Sequence, residues 1–401
     1  MCLVPLDKGE GKVRLIALGE ALPKLAQAVL FDSMEGHLRT SFEPHQLSVR
    51  TPGGAEILAR TLRSWMRLPG DRQILQIDLR NAYGQMKRSH TLQAVIKRCP
   101  GLAPQLCQQW APGATRAWVR IGAEWRQIES ARGGWQGSPD SNPTFCNGLE
   151  EVFAQSLGDV SGVQRLGYAD DTFLDAAPTA MMAQWPAILD ALEAAGHEVS
   201  PAKCHLWRSP DQDNEDDEQR TAVVQFAQMF PATSGTITIM GTEAGAAYTT
   251  ALGDAKATAD AARQRADTAV QLCRHVAELA TTDLGIPRLG AAWTLLTKCC
   301  ARALDYDARL VPSGALAGVT SNLDDAVRKM VTAVCAKDLP TDAWAQATLP
   351  GPLGGCCLRL PFAMLDIGLW ASWEAHQGRA RGNLHHPGKA RRPRTCRRGG
   401  G

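Results

Sequence analysis

Three aspartates are the residues of this sequence best suited to chemistry. Asp78 follows the apolar run RQILQI, and Asp170 and Asp171 lie between the segments VQRLGYA and TFLDAA. Placing carboxylates beside a buried core is costly unless a cation or a donor group pairs with them. Mg²⁺ prefers carboxylate oxygens and substrate phosphates, and two such ions support phosphoryl or nucleotidyl transfer. The aspartates therefore predict a Mg²⁺ site, with Mn²⁺ as the alternative ion.

The elements around these aspartates follow from the hydrophobic pattern. The run RQILQIDL predicts a buried strand over 72–79, and RNAYGQMKRSHTLQAVIKR predicts one helix directly after it. The segments on either side of Asp170 and Asp171 predict two short strands joined at these two residues. Ala-rich helical periodicity over 246–345 predicts a separate helical region.

Composition bounds the class of protein. The 401 residues are 44% hydrophobic, which is enough for a globular chain of two or three domains or subdomains. With 43 Lys+Arg against 41 Asp+Glu, any affinity for nucleic acid must come from the distribution of charge. The N-terminus is too charged for a secretion signal, and no run of about 18 apolar residues occurs. We expect a soluble intracellular protein without a membrane segment.

Cysteine spacing argues against a disulfide framework or a zinc site. The 12 cysteines include no C-x-x-C pair, so we expect reduced and mostly buried thiols. The acidic run 211–218 lacks the spacing of an EF-hand, which favours a solvated surface insertion.

The order of several segments resembles that of the palm motifs of reverse transcriptases. These segments are IDLRNAY, GGWQGSPDSNPTFCNGL, GYADDTFL, AGHEVSPAKCHLW and IMGT. Upstream, RLIALGEALPKL and HQLSVRTPGGAE look like fingers motifs in the style of non-LTR retrotransposons. A lone YADD has little weight because short acidic tetrapeptides are common, whereas segments in the family's order are far more specific. The resemblance covers roughly 1–245, and more loosely the helical remainder.

The resemblance implies an α+β fold with the right-hand shape of a polymerase. Its palm and fingers would contain an antiparallel sheet flanked by helices, followed by an α-helical thumb-like region. The implied boundaries are partial fingers at 1–70, a palm with the catalytic motifs at 71–245, the thumb-like region at 246–345, a C-terminal helical segment at 346–378 and a basic disordered tail at 379–401. Contact with nucleic-acid backbone, a nuclear address and a functionless end stay open for that tail.

The resemblance also implies a role for the aspartates and for one tyrosine. Asp78 and Asp170 would coordinate the metal, with Asp171 as a supporting ligand. Tyr83 would lie under the incoming sugar, where a 2′-hydroxyl would collide with it, so deoxynucleotides would be preferred. A plain core tyrosine is the alternative.

Five further residues match nucleotide-binding positions of the family. Gln136 and Gly137 would lie near the nucleotide and the template base, and Lys8 and Arg14 would grip the triphosphate. Lys203 would help to protonate the departing pyrophosphate. A surface charge is the alternative for each of the three basic residues.

Two departures from the family pattern concern the nucleotide pocket. Leu15 follows Arg14, where the family commonly has proline. Asp140 and Asn142 stand in GGWQGSPDSNP, where the family usually shows apolar residues. The shape of the pocket is therefore expected to differ from that of the family.

The implied activity is that of an RNA-directed DNA polymerase core of retroelement origin. It would add deoxynucleotides to a DNA primer on an RNA template by two-metal-ion nucleotidyl transfer. The first alternative is a catalytically inactive or maturase-like RNA-binding protein that keeps the fold, which the short fingers favour. The second is a metal nuclease, which would not need Tyr83 or the Gln136-Gly137 loop. No endonuclease or DNA-binding region is visible, so we expect a fragment of a longer element or a degenerate copy.

Overall fold

The computed structural model divides into two compact units, Met1–Asp254 and Ala255–Gly401. The structure describes residues 2–7, 13–111, 115–157, 162–209, 217–231, 236–239, 242–245, 253–281, 288–311, 313–365, 367–368 and 371–372. The strands are β1 (Cys2–Asp7), β2 (Val13–Leu18), β3 (Gln73–Ile77), β4 (Arg116–Ile121), β5 (Glu124–Glu129), β6 (Gln164–Tyr168), β7 (Asp171–Ala176), β8 (His205–Arg208), β9 (Thr236–Ile239) and β10 (Thr242–Gly245). The helices are α1 (Ala21–Ser33), α2 (Glu35–Phe42), α3 (Gly54–Trp65), α4 (Ala82–Gln85), α5 (Arg88–Arg98), α6 (Ala103–Gln109), α7 (Ser141–Leu157), α8 (Pro178–Ala194), α9 (Asp217–Ala227), α10 (Gly253–Thr281), α11 (Arg288–Leu295), α12 (Asp305–Leu310), α13 (Ser313–Cys335) and α14 (Thr341–Thr348).

Four antiparallel strands of the first unit form the central sheet, in the order β6-β7-β3-β8. The inner strand β3 buries Ile74, Leu75 and Ile77 to at most 1% exposure. Because successive side chains of a strand point to opposite faces, burial of the adjacent Ile74 and Leu75 shows that both faces of β3 are covered. The prediction of a buried strand that leads to Asp78 is confirmed, because β3 ends at Ile77.

Helices cover the central sheet, and α7 is the most deeply buried of them. It packs against α5 and α8, and its Phe145 belongs to the main hydrophobic core. A buried ion pair joins α7 to β6: Arg165 donates to both carboxylate oxygens of Glu150 at 2.6 and 2.7 Å. Because each charge has a partner with good geometry, the pair can stay buried. This pair fixes β6 to the helix behind it.

The prediction of one helix over 80–98 was wrong, because the structure breaks it after Gln85. The amide of Gly133 donates to the carbonyl of Met86 at 2.9 Å, and the amide of Lys87 donates to the carbonyl of Ala195 at 2.9 Å. These backbone groups are therefore bonded to other segments, and α5 begins only at Arg88.

A second sheet of the first unit, the edge sheet, has the order β2-β1-β4-β5. β1 pairs antiparallel with β2 and parallel with β4, so a hairpin distant in sequence completes the sheet. Its small core contains Leu3, Ala17 and Ala117. β9 and β10 form a separate antiparallel pair.

The second unit is helical in the part that the structure describes. On α10, Ala262, Ala266, Ala269 and Cys273 are buried at intervals of three or four residues, the spacing of one helix face. Arg265 forms an ion pair with the fully buried Asp307, with Nε 3.0 Å from Oδ2. Within 346–378, α14 ends at Thr348, a short 3₁₀ helix covers Gly351–Leu353, and α-helical structure begins again at residue 361. The boundaries expected for fingers, palm, thumb-like region and tail stay predictions.

None of the helices in the described residues combines the length and the apolar character that crossing a bilayer requires.

Candidate active site

The carboxyl end of β3 carries Asp78 on a backbone that the turn before β8 holds in place. The Asp78 amide donates to the thiol sulfur of Cys204 at 3.3 Å, and the amide of Ser200 donates to the Asp78 carbonyl at 2.9 Å. The Asp78 side chain is 39% exposed, so substrate can reach it. The carboxylate is thus accessible while its backbone is fixed.

The hairpin of β6 and β7 brings the other two aspartates to the same end of the central sheet. Tyr168 and Asp171 form its last pair, and the turn consists of Ala169 and Asp170. In the neighbouring ladder, Ile77 pairs with Thr172. The register therefore puts Asp78 beside Asp171 where the sheet ends.

The electrostatics of the site agree with this register. Burial, followed by the negative charges of Asp170 and Asp78, raises the pKa of Asp171 to about 6. A carboxyl group near other carboxylates favours its neutral form until a cation compensates the charge. The Lys203 ammonium lies 3.9 Å from Oδ2 of Asp78, but its side chain is 65% exposed and solvent screens it. Among the described residues, the carboxylates at the end of the sheet therefore outnumber the cations beside them.

The donor set suits a cation that shares its coordination with a substrate. Among the described residues, no three His, Cys, Asp or Glu side chains form a ready-made metal cage. Mg²⁺ is usually bound by one or two carboxylates, and water and substrate phosphates complete its octahedron. Asp78 and Asp170, with Asp171 beside them, fit that partial set.

Tyr83 lies behind the aspartates and is held by two neighbours on α7. Its ring stacks on that of Phe145, with centroids 4.4 Å apart, and its hydroxyl donates to Oδ1 of Asn142 at 3.0 Å. Burial is the main cause that raises the pKa of Tyr83, and the charges of Asp170 and Asp171 contribute. The ring is thus close to the carboxylates and fixed in orientation.

Asn142 was noted in the sequence only as a departure from the family. Its amide nitrogen also donates to the carbonyl oxygen and to Oγ of Ser48, at 3.3 and 3.2 Å. An apolar residue there would leave the Tyr83 hydroxyl without this acceptor. Asp140, the other departure, is buried and accepts a hydrogen bond from the Ser138 hydroxyl.

The loop with Gln136 and Gly137 lies against the edge sheet. The Gln136 carbonyl accepts a hydrogen bond from the Ala17 amide at 2.7 Å. Gly137 has a φ of 100°, a backbone conformation that residues other than glycine rarely adopt. The loop is therefore anchored to β2, the strand that carries Arg14.

The structure describes the basic candidates to different extents. Arg14 lies in β2, where its backbone pairs with that of Leu6, and its side chain is not described. Lys8 lies outside the described residues. Lys203 is beside Asp78. The structure thus brings Asp78, Asp170, Asp171, Tyr83 and Lys203 into one region, while the geometry described here does not join Lys8 or Arg14 to it. Gln46, which the sequence did not single out, contacts the hairpin turn.

Gly133 lets the loop before Gln136 lie directly against α4. Alanine should therefore lower the free energy of unfolding more at Gly133 than at Gly122. Both Gly133 and Gly122 have positive φ, but a Cβ on Gly133 would lie 2.5 Å from the Gly84 carbonyl oxygen, whereas Gly122 faces open space. Gly122→Ala should lower the free energy of unfolding by about 1–2 kcal/mol, the cost of left-handed backbone. Gly133→Ala should lower the free energy of unfolding by about 1–3 kcal/mol more than Gly122→Ala, because the backbone at Gly84 must move to make room for the Cβ. Urea denaturation measures both, and equal losses would contradict the close contact.

Comparison with known proteins gives structural neighbours of low sequence identity. No curated protein matches the sequence. Apo telomerase from Candida tropicalis has a TM-score of 0.48 at 7% identity, over 96% of this chain and 67% of that one. The form of this telomerase that is truncated from the C-terminal domain has a TM-score of 0.42 at 10% identity, over 61% of this chain and 53% of that one. The sicinivirus 3Dpol RNA-dependent RNA polymerase has 0.41 at 11% identity, over 90% and 63%.

The neighbours and the family match differ in what they establish. The chain spans 53% of the truncated Candida tropicalis telomerase and 58% of a Candida albicans telomerase, each with a TM-score of 0.42. The family model described as reverse transcriptase (RNA-dependent DNA polymerase) matches residues 6–242. This confirms the resemblance and, with the helix-flanked antiparallel sheet, the predicted α+β polymerase fold. Because the match spans more than half of the sequence, the chain belongs to the reverse transcriptase family.

Proposed function

We propose that this chain is the core of an RNA-directed DNA polymerase that adds deoxynucleotides to a primer 3′-hydroxyl. One observation carries the proposal: the register of the central sheet brings Asp78, Asp170 and Asp171 together in a chain of the reverse transcriptase family. Carboxylates grouped at one accessible edge are what template-directed nucleotidyl transfer requires.

Asp78 and Asp170 are the residues that would hold the catalytic Mg²⁺, or Mn²⁺ in its place, and Asp171 would support them. When bound, the divalent ions lower the charge on the phosphates and favour attack by the primer hydroxyl. The fixed backbone of Asp78 and the hydrogen-bonded turn at Ala169 keep the carboxylates in position before substrate arrives.

The surrounding residues would select and orient the nucleotide. Tyr83, whose hydroxyl is bonded to Asn142, would contact the sugar of the incoming nucleotide and exclude a 2′-hydroxyl. Gln136 and Gly137 would lie beside the nucleotide and the template base. Lys203, at 3.9 Å from Asp78, would protonate the leaving pyrophosphate.

The remaining parts of the proposal concern partners and origin. Lys8 and Arg14 would contact the triphosphate, and the partners would be an RNA template, a DNA primer and deoxynucleotides. A retroelement origin, a two-metal mechanism and residence in the nucleus or an organelle belong to the same proposal. A maturase-like protein that binds RNA without catalysis is the alternative, and the next experiment separates the two.

Primer extension on an RNA template with Mg²⁺ tests the proposal. Wild-type protein should extend the primer, and Asp170→Asn should lower the rate by about 100-fold or more, since it removes a carboxylate that would hold the divalent ion against the substrate phosphates. The matched control is Asp190→Asn, the same change at an exposed position of α8, which should extend like wild type.

The two ways of failing have different meanings. No extension by wild type, together with measurable RNA binding, would favour the maturase-like alternative. Equal extension by wild type and Asp170→Asn would reject the metal-ligand assignment while leaving the polymerase activity in place.

Tyr83 gives a second prediction, on the choice of sugar. Tyr83→Ala should raise ribonucleotide incorporation relative to deoxynucleotide incorporation by about 10- to 100-fold, because the side chain that collides with the 2′-hydroxyl is gone. Tyr83→Phe keeps the ring stacked on Phe145 and loses only the hydroxyl that bonds Asn142, so most of the discrimination should stay. Single-nucleotide incorporation with each substrate measures the ratio. An unchanged ratio in Tyr83→Ala would assign Tyr83 to the core instead.

A further inference from the structure

Gln46 is a fully buried amide that contacts the turn between β6 and β7. Its exposure is 0%. Oε1 accepts a hydrogen bond from the Ala169 amide at 2.8 Å, and Nε2 donates to the Ala169 carbonyl at 3.0 Å. One side chain therefore satisfies both polar backbone groups of the residue that precedes Asp170.

The turn needs such support because its first residue has an unfavourable conformation. Ala169 has a φ of 58°, and it is the first of the two residues between the paired Tyr168 and Asp171. A positive φ at that position of a two-residue turn normally selects glycine, because a Cβ crowds the backbone. The two bonds from Gln46 offset this cost and hold Ala169 in the conformation that directs Asp170.

The backbone around Gln46 is itself fixed to β6. The amide of Gly167 donates to the carbonyl of His45 at 2.7 Å, and the amide of Leu47 donates to the carbonyl of Gly167 at 2.8 Å. Gln46 and Gly167 thus form a parallel bridge. The amide of Ser48 also donates to Oε1 of Gln46, at 3.2 Å, which fixes the orientation of the side-chain amide.

We propose that Gln46 is the positioning residue of the catalytic hairpin. By setting the conformation of Ala169, it holds Asp170 and Asp171 at the distance from Asp78 that a shared cation requires. A neutral amide suits the task, because a carboxylate would lack the donor for the Ala169 carbonyl and would add negative charge beside three aspartates. The assignment deepens the proposed polymerase function and rests on it.

Mn²⁺ binding, followed by the electron paramagnetic resonance signal of free Mn²⁺, tests this assignment without polymerase activity. Gln46→Met keeps the length of the side chain and removes both hydrogen bonds to Ala169. It should weaken Mn²⁺ binding by about 10- to 100-fold, the usual effect of losing a residue that orients metal ligands. The Mg²⁺ concentration that gives half-maximal extension should rise in parallel.

Rescue distinguishes positioning from a general loss of structure. Adding Ala169→Gly to Gln46→Met should recover a large part of the Mn²⁺ affinity, because glycine adopts a positive φ without support. The matched control is Gln73→Met, the same change at another fully buried glutamine, at the opposite end of β3. It should bind Mn²⁺ like wild type. If Gln46→Met does not fold, Gln46→Asn, whose amide is one methylene too short to reach Ala169, replaces it in the same comparison.

Each outcome decides the proposal. Wild-type Mn²⁺ affinity in a folded Gln46→Met or Gln46→Asn protein would overturn it, as would the absence of rescue by Ala169→Gly. If wild type bound no Mn²⁺ even with primer–template and a deoxynucleotide analogue present, the metal-ligand part of the proposed function would fail, and hydrogen exchange at the Ala169 amide would still decide the role of Gln46. Faster hydrogen exchange in the Gln46 variant than in wild type supports the positioning role of Gln46, and equal exchange rejects it.

Discussion

Negative charge crowded at one end of the central sheet is the constraint on which the rest of the site depends. Asp78 and Asp171 are brought together by the antiparallel register, and the turn adds Asp170. Burial, followed by the charges of Asp170 and Asp78, raises the pKa of Asp171. Repulsion between the carboxylates would separate the side chains if their backbones were free to move. The carboxylates can stay together because the surrounding protein is rigid and because a cation can neutralise them.

That rigidity comes from neutral hydrogen bonds and from ion pairs placed away from the aspartates. The thiol of Cys204 and the amide of Gln46 hold the backbone on either side of the site without adding charge. The buried Arg165–Glu150 pair fixes β6 from behind and is internally balanced. Lys203 is the cation described closest to Asp78, and its exposure leaves it able to move when substrate binds.

The sequence predicted those parts of the site that local patterns encode. Runs rich in apolar residues predict β3 and the strands around Asp170. The order of the motif segments along the chain indicates the family. The hydrogen bonds between Gln46 and Ala169 were missed because the two residues are 123 positions apart, and no local pattern encodes such a contact. The break after Gln85 was missed for the same reason, because bonds to Gly133 and Ala195 override helix propensity. Asn142 was visible as an unusual residue, but its role required the position of Tyr83.

The central claim is that Asp78 and Asp170 share a divalent cation with the substrate. Anomalous scattering from Mn²⁺ in crystals of the protein with primer–template and a non-hydrolysable deoxynucleotide analogue tests it most directly. The account predicts Mn²⁺ in contact with the carboxylates of both Asp78 and Asp170 and with phosphate oxygens of the analogue. Mn²⁺ bound to the phosphates without either aspartate, or bound elsewhere on the protein, would contradict it.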